Sequence, residues 1–75
     1  MGTKNDPGEF DCYEAADPDE PMFVLLARDR HASQVVREWI ARRAIEGTTD
    51  LAKIDEAIAC AEAMEVWHET HAGEA

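Results

Sequence analysis

Between Leu51 and Trp67 the apolar residues Leu51, Ile54, Ile58, Ala61, Met64 and Trp67 follow one another at steps of three or four. That spacing keeps one side of a helix apolar and is incompatible with the two-residue period of a strand. Ala57, Cys60 and Ala63 widen the face, and Thr48, Thr49 and Asp50 supply three candidate caps in a row. The pattern predicts a helix over 50–71, about 33 Å long at 1.5 Å per residue. Asp55, Glu56, Glu62, Glu65 and Glu69 are expected on its outer face. In a chain of 75 residues, everything else must be organised to cover this one element.

The cover is a second amphipathic segment. Asp29 is a natural N-cap, with Ser33 as an alternative start, and the helix is expected to run to about Glu46. Its inward positions are Ala32, Val35 or Val36, Trp39, Ile40, the stem of Arg43, and Ala44. Gly47 is placed to end it in the left-handed conformation. Ahead of it, MFVLLA at 22–27 follows Pro21 and reads as one short β-strand or extended segment. The fold class is therefore mainly α, a two-helix antiparallel hairpin with that N-terminal segment beside it. Residues 1–21, with all three prolines, read as an acidic extended arm, and 22–72 as one small helical domain.

Size limits how well such a domain can close. A chain of 8.4 kDa buries only about 60 % of its extended surface, so its core is thin. The longer helix outruns its neighbour near Met64 and Trp67. A lone strand at 22–27 would also need a partner, either the arm or the same strand of another subunit. Completion by oligomerisation is expected, as a homodimer or higher homo-oligomer, with Phe23, Leu25, Trp39, Met64 and Trp67 at the interface.

Charge narrows the partners. The net charge is −10. Residues 1–21 carry one base against seven acids, 22–47 five arginines against three acids, and 48–75 one lysine against seven acids. General affinity for nucleic acid is excluded, because phosphate binding needs concentrated positive charge. No run of about 20 apolar residues exists to span a membrane. MGTKNDPGEF lacks the basic start and apolar stretch of a signal peptide, and Asp6 breaks the myristoylation pattern. Two cysteines, Cys12 and Cys60, without a CxxC motif do not make a disulfide framework. A cytoplasmic location is expected.

Constellations for chemistry are sparse. Cys60 and His68 stand eight residues apart on one helix, about 12 Å along its axis, too far for a thiol and its base. Carboxylate pairs such as Glu62 and Glu65 lack a cleft between them. No catalytic residues and no cofactor are expected. Glu65, His68 and His71 form a Glu-x-x-His-x-x-His series that is at best a weak metal candidate, since imidazoles near a helix C-terminus are favourable without any metal. Arg28, Arg30, Arg42 and Arg43 could line an anion site for a phosphorylated ligand, given the planar fork of the guanidinium.

The segments DPDEPMFVLLARDRHASQVVREW and EAIACAEAMEVW resemble small acidic proteins encoded by bacteriophages and prophages. The resemblance spans about Asp11 to Trp67. It rests on Asp19, Glu20, Pro21, Phe23, Leu25, Ala27, Asp29, Trp39, Ala63, Met64 and Trp67. It implies an accessory context in which small proteins bind host components or signal molecules, inhibition of host defence among them. The leading expectation is thus a non-catalytic intracellular interaction protein that binds a host protein. One alternative is a nucleotide or cyclic-nucleotide binding protein or sponge with an arginine-lined site between subunits. Another is an acidic mimic of nucleic acid, with Asp55, Glu62, Glu65 and Glu69 as its negative stripe.

Overall fold

The computed structural model describes residues 1–47 and 49–71. It contains three helices: α1 (Cys12–Ala15), α2 (Ala32–Ile45) and α3 (Leu51–Thr70). The mainly α reading holds, and α2 packs along α3 as a hairpin. Asp50 caps α3 by accepting from the Lys53 amide, so the cap expected among three neighbours falls to the residue next to the helix. Thr48, and residue 72 of the expected domain, lie outside the described residues. Gly47 ends α2 with φ of 78°, a left-handed conformation that side chains disfavour.

Three expectations are corrected or narrowed. Of the two readings of 22–27, strand or extended segment, the strand does not form among the described residues. Across 22–27 the one backbone hydrogen bond outside regular elements is a turn bond, from the Asp29 amide to the Leu26 carbonyl. A strand needs an edge to pair with, and the arm is held elsewhere. The arm is also not wholly extended, because Asp11 accepts from the Tyr13 amide and starts the single turn of α1. Finally, α2 begins at Ala32 rather than directly after Asp29. The Asp29 carboxylate accepts from the His31 amide in the preceding turn, leaving the helix without a side-chain cap.

The core is made of small residues. Ala32, Ala57 and Ala61 are wholly buried, and among the described residues no larger side chain is. Val36, Trp39, Ile40 and Arg43 of α2 are half-buried, as are Ile54, Ile58, Cys60, Met64 and His68 of α3. Alanines let the two helices approach closely and carry high intrinsic helicity. Leu51, at 67 % exposed, does not join the packed side of α3, which is rotated toward Ala57, Ala61 and Glu65. Of the pair Val35 or Val36, Val36 is the inward one, and Ala44 and Ala63, also expected inward or on the apolar face, are exposed.

The arm closes over the first half of α3. The Glu56 carboxylate accepts from the amides of Glu9 (2.7 Å) and Phe10 (3.0 Å) and pairs with the Met1 ammonium at 3.4 Å. That ammonium also donates to the carbonyls of Pro7 and Phe10. Gly8 makes the approach possible. Its φ is 81°, and a Cβ there would stand 2.7 Å from Glu56 Oε1 and closer still to the Met1 carbonyl. Glu56 therefore leaves the outer acidic face on which its spacing placed it.

Candidate binding surface

Among the concavities of the described residues are one built by the arm and one where the start of α2 meets the end of α3. The larger, about 740 Å³, is an open groove. Phe10, Ala15, Ala16, Met22 and Phe23 supply its apolar lining. Glu9, Asp11, Glu14 and Glu20 also line it, and Lys53 reaches it from α3. No ion pair forms at any of these four acids among the described residues. Asp11 and Glu20 accept local backbone bonds, from Tyr13 and Asp17 respectively. Lys53 instead faces the Trp39 ring, with Nζ 6.0 Å from its centroid.

The groove has defined walls because its two sides are tied. Glu56 fixes Glu9 and Phe10, while a turn from Asp17 to Glu20 brings the chain back toward Pro21. Phe23 then projects at 84 % exposure, and Tyr13 at 77 %. Met22, Val24 and Leu26 are exposed as well. An apolar run of this kind is ordinarily the part of a small protein that packs, not the part that faces water.

The smaller groove, about 200 Å³, brings Arg30 together with Ser33, Met64, Glu65 and His68. Its dominant contact is an interhelical fork: Arg37 Nε and Nη2 each donate to Glu65 at 2.8 Å. Two parallel bonds to one carboxylate set the register of α2 against α3. Glu65 therefore points at α2 and drops out of the acidic stripe, which is left with Asp55, Glu62 and Glu69. The Arg37 hydrogen bonds hold the Glu65 carboxyl below its ordinary value, against partial desolvation that pushes it up. They raise the Arg37 guanidinium in turn. In a carbon-detected titration, Glu65 of the parent should protonate below the usual glutamate range. The Arg37→Gln variant should return it to that range. An unchanged midpoint in the variant would show that the fork does not persist in solution.

The four arginines singled out for an anion site do not converge within one chain. Arg30 lines the small groove and its Nε donates to His31. Arg28 is exposed. Arg42 bonds Glu38 one turn back along α2. Arg43 lies over the Trp39 ring at 5.5 Å, with its Nε buried and unpartnered. Ala32 and Arg42 are about 15 Å apart along the helix. Arg37, which no motif marks out, is the arginine with the firmest partner. Its signal would have been the pairing of opposite charges across the hairpin, legible only once the register is known.

Of the metal candidates, Glu65 is taken by Arg37, and His71 Nδ1 sits 2.7 Å from the Trp67 carbonyl oxygen. No cluster of three or more His, Cys, Asp or Glu suited to a metal ion occurs among the described residues. The expected interface residues are dispersed as well. Phe23 lines the large groove and Met64 the small one, while Leu25 and Trp39 are half-buried. Trp67 is 40 % exposed, covered on one face by the His71 ring at 3.9 Å. Cys12, exposed, and Cys60, half-buried, are both free thiols.

No helix among the described residues is long and apolar enough to cross a membrane. Comparison of the chain with protein-family models, curated proteins and solved structures finds no match.

Proposed function

We propose that this chain is a non-catalytic interaction protein, of phage or prophage accessory type, that acts in the cytoplasm by binding a host protein and associates with itself. One observation carries the binding reading. The chain exposes 6134 Å² of surface, whereas a folded monomer of 8.4 kDa exposes roughly 4,600 Å². The surplus, roughly 1,500 Å² per chain, is of the size that a subunit loses in an obligate assembly. Much of it is apolar: Tyr13, Phe23, Val24, Ile45, Leu51 and Val66 are each at least 60 % exposed. A marginal domain gains most from covering such surface with a second chain. The accessory context rests on the sequence resemblance.

Light scattering at micromolar concentration, with and without a bacterial lysate fraction, tests the proposal. The expected result is a particle of at least twice 8.4 kDa alone, and a larger one when a host partner is added. A particle of 8.4 kDa at every concentration, with no partner retained at either low or high salt, overturns it.

A further inference from the structure

We infer that the groove between α1 and Pro21–Phe23 is the docking site for a basic segment of a partner protein, one with an apolar side and flanking Lys or Arg. This rests on the interaction-protein reading and adds the chemistry of the partner. Three observations converge on it. The first is an apolar lining in which Phe23 is left 84 % exposed, so an anchor is already projecting into the space a ligand would fill. The second is charge. Among the described residues, Glu9, Asp11, Glu14 and Glu20 line the same groove without ion pairs, and the cation that lines it, Lys53, faces Trp39. A cationic segment would therefore find unneutralised carboxylates around an apolar floor. An acidic segment would meet repulsion.

The third is form. The groove is open along one side rather than closed over, as suits a length of chain better than a small molecule, which is bound by enclosure. Apolar anchors flanked by basic residues recur every third or fourth position on an amphipathic helix, and such a helix lays its apolar face into a groove of this kind. The charge also steers. A chain with net charge −10 attracts basic partners from a distance, and the groove then selects among them by their apolar side.

The test uses the full chain and a labelled Leu/Lys amphipathic peptide of about 18 residues, five helical turns. Two control peptides accompany it, one with Glu for each Lys and one with Ser for each Leu. Only the Leu/Lys peptide should bind tightly. Phe23→Ser should weaken it about ten-fold, as expected of an apolar anchor. The residue is exposed enough that the substitution leaves the fold intact. Glu14→Gln with Glu20→Gln should weaken it about five-fold. Asp55→Asn with Glu62→Gln removes the same charge from the outer face of α3 and should leave it unchanged.

Equal weakening by the two charge pairs, or equal binding of the Lys/Ser peptide, would reduce the effect to general electrostatics and overturn the proposal. No binding of the Leu/Lys peptide overturns it too. If that failure comes with a dimer that Phe23→Ser dissociates, a second copy of the chain fills the groove. The interaction reading then survives on the mass measurement while the partner assignment does not.

Discussion

Ala61→Leu should cost the hairpin about 3 kcal/mol, at the upper end of what overpacking does in a close-fitted interior. Ala61 is wholly buried and lies one turn before Glu65 on the same side of α3, facing α2. A leucine there has no space to occupy unless the helices separate. Separation would also pull Glu65 away from Arg37, since the fork holds both bonds at 2.8 Å. A domain of this length has only about 5 kcal/mol to lose. Ala63→Leu is the matched control, because Ala63 is exposed on the same helix and the two residues differ little in helix propensity. Urea unfolding followed by circular dichroism would read the difference. If the two variants unfold within about 0.5 kcal/mol of each other, the close helix contact is not where the packing lies.

Glu56→Ala should free the arm while α2 and α3 stay folded. Amide exchange at Glu9 and Phe10 should accelerate strongly, because both donate to that carboxylate and to no other acceptor among the described residues. The groove should go with it, since Phe10 and Cys12 form one side, and Leu/Lys peptide binding should fall to the background of general attraction. The same release should follow acidification of the parent. Partial burial pushes the Glu56 carboxyl up, but the amides of Glu9 and Phe10 and the Met1 ammonium outweigh it, and the net direction is down. A carboxyl depressed by folding stabilises the docked arm above its ordinary value, and the contribution disappears as pH falls through the depressed one. Parent and Glu56→Ala should therefore differ at neutral pH and converge in strong acid, below the depressed value. Protection of Glu9 and Phe10 that survives in the variant would mean that the arm is held by something other than Glu56.

Two placements on α3 change for one reason. Glu56 and Glu65 stand on the outer face only when the spacing of the large apolar residues is read alone. The side that packs is centred on Ala57 and Ala61, both on the expected apolar face, while Leu51 stands outside it. Shifting the face by part of a turn moves Glu65 onto α2 and Glu56 under the arm. Trp67 is left at the edge, stacked on His71.

What the sequence determined by itself are the features that depend on neighbours in the chain. These are the two helices, a cap for α3 among Thr48, Thr49 and Asp50, the left-handed Gly47 and the strongly acidic balance. Each follows from periodicity or from the conformational preference of a single residue, and a helix satisfies its own backbone. Only the tertiary structure decided the rest. The meeting of Glu56 with amides 46 and 47 residues away, the Arg37–Glu65 fork and the groove that the tied arm creates leave no local pattern. Within the chain, the arm that could have paired with 22–27 is tied to α3 by Glu56, and no strand forms among the described residues.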